Sequence, residues 1–244
     1  MGKPMGVAAL GARRVRHALP STSEASQIRL LHRAEQAPMP AVRLRRTPYV
    51  MVVKPVFDRI AACIGLVVGA VPMTLVGTVV VVTMGRPMLF RQRRVGRDGV
   101  PFEVLKFRTM KPDRRGQCLA VIHDRRRTHK TERDPRHTAI GRFLRRYSLD
   151  ELPQLINVVR GEMSIVGPRP ELESIVETYG PGLEQRHLVR PGLTGLWQIS
   201  ARGHGPMHEN GEWDLEYVER VSWRTDLAIL LRTPSAMFGG NAGS

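Results

Sequence analysis

The stretch RRYSLDELPQL, beginning at Arg145, sets two adjacent carboxylates, Asp150 and Glu151, between a run of arginines and a proline. Neighbouring side chains point in different directions, so the two can do different work. One can hold Mg²⁺ through a hard oxygen ligand. The other can attack a phosphorus centre as a carboxylate nucleophile. Phosphoryl transfer asks mainly for positioning and charge neutralisation, and Arg142, Arg145 and Arg146 are close in sequence to supply positive charge for phosphate oxygens. A plainer reading competes. Ser148 and Glu151 have the spacing of a capping box, and acidic residues in a first turn favour the helix dipole. Pro153 sits awkwardly in that reading, because it falls beyond the first free N–H groups; a helix starting nearer the proline removes the difficulty.

Bulk properties narrow the partners. The chain has 244 residues, enough for one or two domains with a real core, and a formal net charge of +16 from 38 Lys+Arg against 22 Asp+Glu. Such an excess points to nucleic acid, an anionic membrane surface or phosphorylated substrates. No zinc-finger or RNP pattern is present, and with 5% aromatic residues few rings interleave with the basic ones, which argues against nucleic acid. Cys63 and Cys118 form no CxxC or Cys/His grouping, and the eight histidines form no HExxH, so neither a disulfide framework nor a zinc site is expected.

Residues 60–84 contain no charge. Spanning a bilayer takes about 20 apolar residues, so the run is long enough. Pro72 lies in its middle, where it removes a backbone hydrogen bond. Basic residues flank both ends: Arg45, Arg46, Lys54 and Arg59 before, Arg86, Arg91, Arg93, Arg94 and Arg97 after. Lys and Arg mark cytoplasmic flanks. Both ends on one side means a re-entrant helix broken near Pro72; a kinked spanning helix is the alternative.

The remaining elements give an α-rich α+β fold with small β-hairpins. Residues 1–50 read as a basic, disordered arm drawn to anionic lipid, residues 51–86 as the membrane segment, 87–234 as a catalytic domain and 235–244 as a flexible tail. PMLFRQRRVG and PFEVLKFRTM read as two strands joined at the turn signal RDG. Lys106 and Arg108 alternate with apolar residues there, as a solvent-facing strand surface also would. Residues 111–138 read as a polar loop. Ile140, Phe143, Leu144, Leu149, Leu152, Leu155 and Ile156 recur at helical spacing, and GPRP ends the pattern. A helix broken at Gly180-Pro181, a β-like RPGLTGLWQIS and one closing amphipathic helix from Trp213 complete the chain.

KFRTM from Lys106, GRFLRRYSLDELPQLINVVRGEMSIVGPRP from Gly141, RPGLTGLWQIS from Arg190 and DLEYVERVSWRTDLAILLRT from Asp214 together resemble the bacterial sugar transferases, in their small monotopic phosphoglycosyl transferase form. The resemblance covers about residues 54–233. It implies transfer of a sugar 1-phosphate from a UDP-sugar to a polyprenyl phosphate such as undecaprenyl phosphate, with release of UMP, in the assembly of exopolysaccharide, capsule, O-antigen or a related glycan. It implies Asp150 as nucleophile, Glu151 as the holder of an essential Mg²⁺, and Arg145 and Arg169 as phosphate clamps. Lys106, Arg108 and Arg142 are further phosphate-binding candidates. It places the protein at the cytoplasmic face of the bacterial inner membrane, among anionic lipids, with a homodimer permitted and no nucleic acid. It leaves Arg202 and Asp214 without roles and Trp197 as a core residue. The family often has Ser-Pro at the membrane break; here Val71, with no hydroxyl, precedes Pro72, and Thr74 is the nearest substitute. Two non-enzymatic readings stand beside it: a catalytically silent scaffold in polysaccharide assembly, and a basic membrane-bound nucleic-acid binder.

Overall fold

A computed structural model describes residues 41–110, 138–200 and 211–238. The basic arm up to residue 40, the polar loop at 111–137 and Arg202 lie outside the described residues. Helix and short sheets combine as an α+β fold.

A π-helical turn, Tyr49–Val53, runs directly into helix α1, Lys54–Val68; helix α2, Ala70–Met84, follows. The two helical arms meet at a bend of 64°, and among the described residues no single helix is long and apolar enough to cross a membrane. The break falls at Gly69, three residues before Pro72 and so near it, as expected. Pro72 has no N–H to bond the carbonyl of Val68, so the ladder is interrupted there. Gly69 carries the change of direction, with its N–H bonded to Gly65 O and its carbonyl accepting from Met73 N, both at 2.8 Å. Thr74 Oγ1 donates to Ala70 O at 2.8 Å, so its hydroxyl serves α2 itself rather than the end of α1.

Strands β1, Leu89–Val95, and β2, Pro101–Phe107, pair antiparallel from Leu89↔Phe107 to Val95↔Pro101. The turn uses Asp98 (φ 57°) and Gly99 (φ 77°), residue types that accept the left-handed region RDG demands. Strand β2 is covered on both faces. Phe102 and Val104 meet Ala62 of α1 and Val158 and Met163 beyond it; Phe107 joins Val80 and Met84 of α2 and Leu144. The period-two alternation therefore puts Lys106 in the row of Phe102 and Val104.

The helical pattern after residue 138 divides into helix α3, Ala139–Arg146, a 3₁₀ turn Leu149–Glu151, and helix α4, Gln154–Arg160. Thr138 caps α3 by accepting from Gly141 N at 2.8 Å. Asn157, fully buried on α4, docks that helix on β2: its Oδ1 accepts from Leu105 N at 3.1 Å and its Nδ2 donates to Glu103 O at 2.7 Å.

Strand β3, Ser164–Val166, pairs parallel with β4, Gly192–Thr194. Their backbones approach so closely that a Cβ on Gly192 would collide with Gly167 N. Helix α5, Glu173–Val176, a 3₁₀ segment Leu183–Leu188, helix α6, Leu196–Ser200, helix α7, Glu212–Arg220, and helix α8, Trp223–Phe238, complete the order. The one closing helix expected from Trp213 is thus two. Val221 is extended (ψ 117°), and Ser222 Oγ caps the second helix by accepting from Thr225 N at 3.3 Å. Helix α8 continues to Phe238, past residue 234 where the tail was expected to begin. Val166, Leu215, Tyr217, Val218 and Ile229 form the core of this part.

Candidate active site

The carboxylate pair is not a capping box. Ser148 sits at φ 54°, ψ 21°, and makes no side-chain cap; Glu151 turns away from it. Glu151 Oε1 accepts from Lys106 Nζ at 2.8 Å and from Arg169 Nη2 at 3.2 Å. Two cations 45 and 18 residues away have captured the side chain that a local cap would have used. Helix α4 begins after Pro153, as the proline suggested.

Each group is delivered by a separate element. Lys106 comes from the end of β2, in the row facing α4. Arg169 comes from the loop after β3, which is pinned from two sides. Val95 bridges Glu171, and Arg94 Nη1 donates to Pro170 O at 3.1 Å. From behind, Arg186 Nη2 donates to Arg169 O at 2.7 Å. Arg186 is itself fully buried, 2.5 Å from Asp214 Oδ2, so Asp214 supports the loop from inside.

The two neighbouring carboxyls have opposite electrostatics. Burial raises the carboxyl of Glu151, but Arg169 and Lys106 outweigh it and hold it down at about 2. Burial, with the charge of Glu151 beside it, pushes Asp150 up to about 6. Asp150 is buried, and no side-chain ion pair reaches it among the described residues. Burial lowers Lys106, and the attraction of Glu151 opposes that; the same carboxylate raises Arg169.

Of the residues singled out in the sequence, Glu151, Lys106 and Arg169 are brought together beside Asp150. Arg108 is directed elsewhere. It donates to Arg86 O at 3.2 Å and to the carbonyls of Met84 and Gly85, so it caps the C-terminus of α2. Arg145 Nε donates to Gly141 O at 3.3 Å on its own helix, and Arg142 is exposed on the same helix. Trp197 is half-buried on α6. Two residues not singled out for this site line it with Lys106, Glu151 and Arg169: Arg94 of β1 and Gln154, the first residue of α4. Gln154 is legible only as a polar residue following Pro153 in an otherwise apolar helix face.

No group of three or more His, Cys, Asp or Glu side chains able to hold a metal occurs among the described residues. A Mg²⁺ shared with substrate phosphates needs only one or two carboxylates. Glu151 fits that role. It is held ionised, both of its bonds end on Oε1, and Oε2 carries none among the described residues.

Residues 49–240 match the family described as bacterial sugar transferase. The exopolysaccharide production protein ExoY of Sinorhizobium fredii is 42% identical over 188 residues, covering 74% of this chain and 83% of the relative. The UDP-glucose:undecaprenyl-phosphate glucose-1-phosphate transferase of Escherichia coli is 45% identical over 155 residues, 60% of this chain and 32% of that protein. The undecaprenyl-phosphate galactose phosphotransferase of Salmonella typhimurium is 35% identical over 187 residues, 74% of this chain and 39% of that protein. With the family matched across its described core and a relative covered over most of its length, the chain belongs to the bacterial sugar transferases.

Proposed function

We propose that this enzyme transfers a sugar 1-phosphate from a UDP-sugar to undecaprenyl phosphate, releasing UMP, as a membrane step of exopolysaccharide or related glycan assembly. The observation that carries the reading is the division of labour within the pair: Glu151 is tied to two cations, while Asp150 is buried beside it without one. The relatives' names supply the reaction type and the acceptor.

Asp150 acts as nucleophile. Its carboxyl, raised to about 6, is ionised at neutral pH and more basic than an ordinary aspartate. A carboxylate oxygen attacks the sugar-bearing phosphorus. The bond from that phosphorus to the oxygen bridging the two phosphates breaks, and UMP leaves with the bonding pair. An oxygen of undecaprenyl phosphate then attacks the same phosphorus and displaces the aspartate, which is restored as a carboxylate. Lys106 and Arg169 hold Glu151 in place and add positive charge where the phosphates lie. Glu151 would hold Mg²⁺, which would supply further charge neutralisation.

The bent pair α1–α2 is the membrane anchor in this reading, dipping into the cytoplasmic leaflet and returning. Its outward residues are apolar, among them Val67 at 77%, Val71 at 71% and Val82 at 78% exposed, a surface that lipid covers favourably and water does not. The acceptor phosphate lies at the headgroup plane, and the UDP-sugar arrives from the cytoplasm.

Nanodisc-embedded protein incubated with undecaprenyl phosphate, Mg²⁺ and a panel of UDP-sugars tests the proposal. UMP release with one donor, lost in Asp150→Asn and on chelation, is expected. Release of UDP instead, or undiminished turnover by Asp150→Asn, contradicts it.

A further inference from the structure

The pocket beside Glu151 has room for about one water-sized atom. Among its lining residues Arg94, Lys106 and Arg169 bring three cations from three different elements and Glu151 one carboxylate, while Glu171, 3.9 Å from Arg94, lies outside the lining. Gln154 completes it. This side chain is 3% exposed, yet its buried Nε2 has no hydrogen-bond partner among the described residues. Unbonded buried amide N–H groups are rare in folded proteins, because water can no longer satisfy them. Gln154 lines this cation-bearing space, and an amide donor there is complementary to an oxygen bearing negative charge. Gly192 forms another wall.

We infer that Gln154 Nε2 donates to one non-bridging oxygen of the phosphoryl group attacked by Asp150, with Arg94 as a second, charged wall of the same oxyanion pocket. The inference rests on the transferase reading. Gln154 lies on the turn of chain that carries Asp150 and Glu151, so the oxygen it meets belongs to the phosphate being transferred rather than to a distant part of the nucleotide. Negative charge on the non-bridging oxygens is what such a donor stabilises, and removing one preorganised donor of this kind costs on the order of 10²-fold in rate.

The test compares wild type with Gln154→Met, which keeps the size and removes the donor. kcat/KM is measured with the UDP-sugar and with each diastereomer of its β-phosphorothioate, and thermal midpoints are recorded alongside. The variant is expected to lose about 10–100-fold with the oxygen donor. For one diastereomer only, the wild-type sulfur penalty shrinks by a similar factor, because the bond to that oxygen is already gone. Equal loss with all three donors, or no loss, overturns the inference while leaving the transferase reading intact. Wild-type protein that releases no UMP defeats that reading and this inference with it. Gln154→Leu, close in size and also without the N–H, replaces the methionine variant if the latter fails to fold, with the same diastereomer pattern expected.

Discussion

Two clusters of buried charge can be set side by side. Around Asp226, Oδ2 accepts from Lys54 Nζ at 2.7 Å and Tyr49 OH at 2.6 Å, and Oδ1 accepts from Tyr217 OH at 2.8 Å. Lys54 also lies 3.6 Å from Asp58, whose Oδ2 accepts from Ser164 Oγ at 2.6 Å. This cluster ties α1 to α7, α8 and β3. Both oxygens of its central carboxylate are bonded. Around Glu151 the count stops short. Among the described residues one oxygen takes two cations, the other takes none, Asp150 has no cation, and Gln154 Nε2 is unbonded. Burial costs polar groups their water in both places. The fold recovers that cost at Asp226 from its own side chains. At Glu151 it leaves bonds to be made by something else.

The sharpest way to break the comparison is a single variant. Asp150→Asn is expected to reduce UMP release on the order of 10³-fold or more, since the nucleophile is gone, with the fold intact by circular dichroism. Asp226→Ala should do the reverse. It strands Lys54 in a buried site and costs about 3–5 kcal/mol in chemical denaturation, while the specific activity of the protein that remains folded is unchanged.

The pH dependence of stability separates the two members of the pair. Glu151, held down at about 2 from an ordinary 4.5, stabilises the fold fully above pH 4.5, and that contribution is lost as the pH falls from 4.5 towards 2. Asp150, raised from 3.8 to about 6, acts in the opposite sense: its folded state prefers the proton, so ionisation costs stability as the pH rises through that interval. Asp150→Asn is therefore expected to match wild type below pH 4 and to exceed it by up to about 3 kcal/mol above pH 6, at 1.36 kcal/mol per pKa unit. Urea denaturation at a series of pH values measures the difference, and a constant offset across the series would count against a desolvated Asp150. The smallest effect belongs to Ser148, the non-glycine residue at φ 54° that turns the chain into the pair. Ser148→Gly should change stability by less than about 1 kcal/mol, towards greater stability if anything, and Ser148→Val should lower the thermal midpoint.

Local signals in the sequence were readable where local physics decides. RDG made a hairpin and Pro153 opened α4, while the alternation along β2 left Lys106 open between a phosphate site and a solvent-facing surface. They failed where distant partners decide. The capping-box spacing of Ser148 and Glu151 is genuine, but Lys106 and Arg169 offer Glu151 stronger, charged partners. Pro72 did mark the break, though Gly69, three residues before it, takes the bend itself. Strand β3 is three residues, too short for any periodicity to reveal; β4 falls in the β-like RPGLTGLWQIS, but the second half of that stretch is helix α6, not strand. Arg108 carried the same charge as Lys106 two positions away and went to a helix end. Gln154 stood out only as a polar residue after Pro153, because an unbonded buried amide is a property of three-dimensional packing.

The most direct measurement is acid-quenched mass spectrometry of protein incubated with its UDP-sugar and Mg²⁺ in the absence of the lipid acceptor. The peptide bearing Asp150 should gain the mass of one sugar phosphate, lose it when undecaprenyl phosphate is added, and gain nothing in Asp150→Asn. Full turnover with no adduct on that peptide, or an adduct that persists in Asp150→Asn, would show that the open cluster is not where the chemistry begins.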